Sequence, residues 1–221
     1  MNALQKFILG CIYCNNLTNP SSLHSVISYL KNKIDLDTQF YTEKIIELEK
    51  KGYIIIKDEF DKQGLKQVFC YLSNLGRSKI KVVFVGGVFD ILHPGHIYTL
   101  KAAKSYGDIL VVIVATTSTA LKLKKNRNIY HDEKLRQELV SSLYFVDLSL
   151  IGKEGTLYDT VSAVIPDIIA LGYDQSHNEK EIQKNCSDLG LKINVVRLST
   201  PNPKIKSSVI KESLGSTFYD I

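Results

Sequence analysis

No apolar run in this chain approaches the length of a membrane span; the longest, such as Ile109 to Ala115, fall far short of the roughly 20 residues a spanning helix needs. Met1 to Gly10 carries Lys6 and a few apolar residues. It lacks the long apolar core and small-residue cleavage site of a signal peptide. A cytoplasmic protein with no membrane partner is therefore expected. Cysteine is scarce: Cys11, Cys14, Cys70 and Cys186 are scattered, so disulfides are not expected. Cys11 and Cys14 form a C-x2-C, but no second pair and no paired histidines follow at zinc spacing. Three residues apart on a helix, they suit buried small apolar side chains. A strong charge of one sign is also missing. Met1 to Ser78 holds 10 Lys and Arg against 8 Asp and Glu, and the remainder 18 against 15. That balance is mild for a protein living on nucleic acid and equally compatible with small anionic substrates. Repeats and low-complexity runs are absent.

What is present divides into two segments, 1–78 and 79–221. The first predicts three helices and a hairpin. Leu4 to Tyr13 is apolar-rich, and Asn15, Asn16, Thr18, Asn19 and Pro20 should end that helix. Ser21 or Ser22 can cap a second helix to about Leu30, and Asp37 or Thr38 a third ending near Gly52. Tyr41, Ile45 and Leu48 give the third helix a core-facing stripe. Tyr53 to Ile56 and Leu65 to Leu72 read as strands around a polar turn over 58–64, with a polar link from Asn74 to Lys79. This order is that of a small winged helix-turn-helix domain. Such a domain makes DNA a candidate partner through the third helix. Its mixed face of Glu43, Glu47 and Glu49 beside Lys44, Lys50 and Lys51 suits phosphate contact poorly. A structural or dimerising role stands beside that reading, with a homodimer as a candidate assembly.

From Ile80 the pattern changes. Continuous apolar runs at Val82–Val85, Ile109–Ala115, Leu148–Ile151, Ile168–Leu171 and Ile193–Leu198 predict strands covered on both faces. Between them, Gly95–Ser105, Asp132–Leu143, Leu157–Ala163 and Glu179–Leu189 predict helices. The alternation predicts an α/β fold, a Rossmann-like doubly wound parallel sheet, binding its ligand beyond the carboxyl ends of the strands.

Residues 85–96, Val-Gly-Gly-Val-Phe-Asp-Ile-Leu-His-Pro-Gly-His, leave the first of those strands and enter the first helix. Gly86 and Gly87 let backbone come close to a ligand. Pro94 pre-sets the first helical turn. Gly95 leaves space where a β-carbon would block a phosphate. The helix start adds unpaired N–H groups and a positive dipole end. His93 and His96, three apart, can both face that end and donate to phosphoryl oxygens. Metal ligation or capping would also use two histidines, but two alone make an incomplete metal site.

His93-Pro94-Gly95-His96 resembles the HxGH signature of the nucleotidyltransferase superfamily, and the stretch Phe89 to His96 is similar to archaeal FAD synthases in particular. Lys125-Asn126-Arg127 resembles the Lys-Gly-Arg loop of that subfamily. Leu171-Gly172-Tyr173-Asp174-Gln175 matches its LGYDQ segment, and Val146-Asp147 also fits. Ser207-Ser208-Val209-Ile210-Lys211 resembles the second family signature. The resemblance covers residues 80–221. It implies transfer of AMP from ATP to FMN with release of pyrophosphate, and Mg²⁺ delivered with the ATP. By position, the backbone of Val88 and Phe89, beside Asp90, would touch ATP. His93 to His96 would cradle its phosphates. Gly172 and Asp174 would contact the nucleotide, and Lys124 or Lys125, with Arg127, would reach the phosphates. Ser207, Ser208 and Lys211 would add a second phosphate-binding helix start. Val88 stands where the family commonly has Thr, and Lys211 where many relatives have Arg. Taken without the resemblance, Lys122 to Arg127 is a solvated loop, Asp174 a turn residue, and Arg136 a surface partner of Glu133 or Glu138. Two other functions share these motifs: a cytidylyltransferase for glycerol 3-phosphate or a phospho-alcohol, and a nucleotide-sensing DNA-binding regulator.

Overall fold

The structure is a computed structural model that describes residues 1–18, 22–60, 64–123, 129–153, 155–200 and 207–214. The chain forms two compact units, Met1–Ile80 and Lys81–Ile221. In the first, α1 (Ala3–Thr18), α2 (Leu23–Lys33) and α3 (Thr38–Lys50) precede the strands β1 (Ile54–Phe60) and β2 (Lys66–Leu72) and a short α4 (Asn74–Arg77). β1 and β2 pair antiparallel from Ile54 opposite Leu72 to Phe60 opposite Lys66. Ser22 and Asp37 cap α2 and α3, accepting from the amides of Ser25 and Gln39. Tyr41, Ile45 and Leu48 are buried as the stripe on α3 requires.

Several boundaries differ from the sequence expectation: β1 runs on to Phe60, into the stretch expected as a turn, and α2 to Lys33. α1 continues through Asn15 and Asn16 to Thr18. The Asn15 amide is buried and donates to the Ser25 carbonyl, and its side-chain oxygen accepts from the Ser25 hydroxyl, so a tertiary partner removes the pull toward a turn. The Asn74–Lys79 link contains a helical turn, capped by Ser73. Gly76 there lies against β1's approach: a β-carbon on it would sit 1.9 Å from the Tyr53 carbonyl oxygen. Cys11 and Cys14 are both buried in α1.

The second unit holds a five-stranded parallel sheet ordered β5-β4-β3-β6-β7, from β3 (Val82–Gly87), β4 (Ile109–Val114), β5 (Leu148–Ile151), β6 (Ile168–Leu171) and β7 (Asn194–Arg197). The connecting helices are α5 (Pro94–Lys104), α6 (Thr117–Leu123), α7 (Glu133–Ser141), α8 (Leu157–Val164) and α9 (Glu179–Asp188), with α10 (Ser207–Leu214) after the last strand. Every residue of β4 is buried, as a strand with helices on both faces demands. Each such Val, Leu or Ile stabilises the fold by roughly 1.5–3 kcal/mol. At the amino edge, Asp108, Asp147 and Asp167 accept the amides of Lys81, Leu110 and Val82, which fastens neighbouring strand starts to one another. Asp147 thus does structural work at the edge opposite the ligand side. α6 falls where the sequence suggested only a loop. Its start is held locally, since the Thr116 hydroxyl accepts the amide of Thr119.

The chain order places β3 in the middle, with crossovers leaving it in both directions. The crevice between β3 and β6 is therefore the switch point, and it opens at Gly87 and Gly172.

The Gly76 contact gives a direct test of the first unit. Gly76→Ala is expected to lower its unfolding free energy by about 2 kcal/mol through overpacking against backbone that cannot yield. Denaturant unfolding followed by circular dichroism measures it.

Candidate active site

The β3–α5 turn occupies the switch point. Gly86 and Gly87 end the strand, and Phe89 follows in a left-handed conformation with φ 52°. Its ring lies over Gly87, where a β-carbon would meet it at 2.6 Å. That ring belongs to the core beneath the sheet and meets the His96 imidazole edge-on, with centroids 5.2 Å apart. His96 in turn stacks on His93, centroids 3.9 Å apart and planes 26° apart. The two imidazoles are thus set by packing from below.

The start of α5 is built unlike that of its neighbours. Ser22, Asp37, Asp132 and Asn178 cap α2, α3, α7 and α9 with side-chain oxygens. His93 occupies the cap position of α5 and makes no capping bond, and Pro94 follows it. The helix therefore keeps its dipole end free of a side-chain acceptor. His93 is 9% exposed, and its Nδ1 has no hydrogen-bond partner among the described residues. Burial pushes the His93 imidazole below its ordinary value, and Asp174 pulls the other way. The neutral ring is ready for a ligand whose negative charge would favour a proton on it.

Asp174 arrives on the turn after β6. Gln175 ties that turn across the crevice: its amide donates to the Gly86 carbonyl at 2.8 Å, and its oxygen accepts the Gly172 amide at 3.0 Å. Arg197, at the end of β7, donates to the carbonyls of Gly172, Gln175 and His177 and pairs with Glu179. Gly172 and Asp174 thereby lie beside the His93 turn on the adjacent strand, held by two side chains.

α10 docks on the same turn. The Ser207 hydroxyl donates to the Ile91 carbonyl at 3.2 Å, and the Lys211 ammonium pairs with the Asp90 carboxylate. Asp90 is fully buried and also accepts the amides of Tyr130 and His131 at 2.9 and 3.1 Å. Its carboxylate is committed to protein partners, so Asp90 and Lys211 organise the site from behind. The second oxygen of that buried carboxylate is what Lys211 occupies. Lys124, Lys125 and Arg127, and the side chain of Ser208, lie outside the described residues.

Arg136 departs most from the sequence reading. It is fully buried, its guanidinium spread over the carbonyls of Val88, Ala115 and His131, and Glu133 approaches only to 3.8 Å. The available signal was its register: Arg136 precedes the buried Val140 by one helical turn, on the core face of α7.

Comparison with known proteins agrees with this geometry. Residues 84–213 match the family described as cytidylyltransferase-like. An FAD synthase of Picrophilus torridus is 48% identical over 126 residues, 57% of this chain and 89% of that protein. An FAD synthase of Thermoplasma acidophilum is 41% identical over 142 residues, 62% of this chain and 98% of that protein. A crystal structure described as a lipopolysaccharide core biosynthesis protein, from Thermoplasma volcanium, superposes with a TM-score of 0.53 at 45% identity, over 55% of this chain and 98% of that one.

Two measurements follow. Asp90→Asn leaves the nearly buried Lys211 ammonium without its partner charge and is expected to cost about 3 kcal/mol of stability, read by denaturant unfolding. The His93 ring, held below 6.5 in the folded state, takes up its proton more readily once unfolded. Between the folded and unfolded values the unfolded chain binds the extra proton. Stability therefore falls as pH drops below about 6.5 and does not change through this group above it. His93→Gln should flatten that part of the stability–pH curve.

Proposed function

The chain belongs to the cytidylyltransferase-like family, and from that membership we propose that it is an FAD synthase, transferring AMP from ATP to FMN and releasing pyrophosphate. One observation carries the site assignment: the start of α5 has no capping side-chain oxygen and carries two stacked imidazoles at the sheet's switch point. A triphosphate would bring acceptor oxygens to that helix start. The similarity to archaeal FAD synthases supplies the nucleotide and the acceptor.

The reaction is one in-line displacement. A phosphate oxygen of FMN forms a bond to the α-phosphorus of ATP, and the bond from that phosphorus to the bridging oxygen breaks, with the electron pair leaving on pyrophosphate. FMN brings its own ionised oxygen, so no protein nucleophile is required. The chain's contribution is position and charge. Backbone at Gly86, Gly87, Val88 and Phe89 approaches the nucleotide. Gly95 admits the phosphates to the start of α5, and His93 and His96 donate to the oxygens that gain charge. Gly172 and Asp174 hold the nucleoside side of the crevice. Ser207 and Ser208 bring a second helix start, which Lys211 fastens through Asp90. By the resemblance, Lys124, Lys125 and Arg127 would reach the phosphates.

Mg²⁺ fits as an ion carried by the triphosphate. The described residues bring together no group of three or more His, Cys, Asp or Glu, and the Asp90 carboxylate is enclosed. Bound in that way, the metal would neutralise phosphate charge. The first unit is a candidate for DNA contact or for self-association, and the adenylyl transfer requires neither. No helix among the described residues is long and apolar enough to cross a membrane.

The assay is FAD formation and pyrophosphate release from ATP and FMN, run beside CTP with glycerol 3-phosphate. ATP with FMN should be the productive pair. His96→Ala should lower kcat by about 10²- to 10³-fold, the usual loss of a donor to developing charge, with little change in melting temperature. A wild-type enzyme that makes no FAD from ATP and FMN refutes the assignment. Pyrophosphate from CTP and glycerol 3-phosphate alone would transfer it to the cytidylyltransferase reaction.

A further inference from the structure

We infer that Arg136 is a positioning residue for nucleotidyl transfer: a buried guanidinium that fixes the backbone around the phosphate site without touching substrate. The inference rests on the transferase reading above, but its geometry stands independently. A helix in a β-α-β crossover runs antiparallel to the strands, so the first turn of α7 arrives at the carboxyl edge of the sheet. Arg136 sits in that turn and is 0% exposed.

Its donors reach segments from three places in the chain. Nη1 donates to the Val88 carbonyl at 2.7 Å and to the Ala115 carbonyl at 2.8 Å. Nε donates to the His131 carbonyl at 2.9 Å, and Nη2 reaches the Thr117 hydroxyl at 3.3 Å. Val88 lies between the glycines of β3 and the imidazoles of α5. Ala115 leaves β4, and Thr117 opens α6. His131 returns the chain into α7 and carries its own link to the site, its amide bonding the Asp90 carboxylate. One side chain therefore ties together the turns that surround the crevice on the β4 side.

The energetics favour a role beyond stability. Burying a guanidinium costs several kcal/mol, and hydrophobic replacements of such groups are often neutral or stabilising. The Glu133 carboxylate stands 3.8 Å away and is 34% exposed. Carbonyl dipoles carry most of the compensation. An apolar side chain on the face shared with Val140 would fill the volume more simply. What it could not do is hold three carbonyls by a rigid planar fork, and lysine, a point donor, could not do so either. The Val88 peptide is the link that matters for the reaction, because its carbonyl is pinned while the next residue, Phe89, holds its left-handed conformation and sets His96.

The test uses the full chain with Arg136→Lys, Thr117→Val and a control, Val161→Ala. Val161 is fully buried in α8 and belongs to no part of the site. Arg136→Lys should lower kcat about 100-fold while KM for ATP changes less than about threefold, since misplacement chiefly penalises the transition state. Thr117→Val removes one partner of the guanidinium without opening the core and should lower kcat about fivefold by the same route. Val161→Ala should lower the melting temperature and leave kcat unchanged. Hydrogen exchange in Arg136→Lys should accelerate in peptides covering 88–96 and 115–119 and stay unchanged over 168–171. Wild-type kcat in both site variants overturns the inference. So does a kcat loss in Arg136→Lys that Val161→Ala reproduces at equal loss of melting temperature, or unaltered exchange at 88–96. Should Arg136→Lys fail to fold, Thr117→Val decides alone. A wild-type protein inactive on ATP and FMN defeats the FAD synthase assignment, and the exchange pattern still decides the role of Arg136.

Discussion

A helix that begins at the carboxyl edge of a parallel sheet presents backbone N–H groups with no partner in their own helix, and each must find an acceptor. Most capped helices in this chain take that acceptor from their own sequence: Ser22, Asp37, Asp132 and Asn178 each turn an oxygen onto the first turn. At α5 the sequence puts an imidazole in the cap position and a proline after it. Neither supplies an acceptor to the helix. The start of α5 is thus left without a side-chain acceptor, and the surrounding structure holds it so.

Two buried ionic arrangements do the holding. One is the Asp90 carboxylate, fully enclosed, joining α10 through Lys211 to the backbone at Tyr130 and His131. The other is Arg136, holding the carbonyls of Val88, Ala115 and His131. They meet at His131, whose amide serves the first and whose carbonyl serves the second. Charges of opposite sign are therefore buried on either side of one residue and linked through it. On the far side of the crevice Gln175 and Arg197 do the same for the turn after β6 with neutral and partly exposed contacts.

How much of this the sequence disclosed follows from the range of each interaction. β3, β4 and β6 were legible because burial on both faces leaves a short, β-branched apolar run, and β5 because its run alternates with predicted helices. The uncapped α5 was legible because cap, proline and glycine are neighbours in the chain. α6 was not: no apolar stripe marks Thr117 to Leu121, and its start is held by the Thr116 hydroxyl, which accepts the Thr119 amide. The end of α1 was misjudged because Asn15 finds its partner, Ser25, across a helix–helix contact. Arg136 was misread for a related reason. A charged side chain defaults to solvent in any local reading, and only a partner 48 positions away, Val88, reveals that it is buried. Asp90, which the resemblance set beside ATP, is enclosed by partners as distant, His131 being 41 positions away.

The same reasoning bears on α3 in the first unit. Groove recognition by a helix needs lysines or arginines free to neutralise phosphates. On α3 and its cap, Lys44 and Lys51 both bond Glu47, at 2.9 and 2.7 Å. The hydrogen bond from Lys51, then that from Lys44, holds the Glu47 carboxyl down at about 2, so it stays ionised throughout the physiological range. Two of the three lysines near this helix thus carry their own counter-ion. Gln39 is bonded to Glu43, and Ile46 is 40% exposed. A partner approaching this face meets one lysine, Lys50, among acidic, amide and apolar groups. Phosphate neutralisation through α3 therefore rests on Lys50, fewer cations than groove recognition uses.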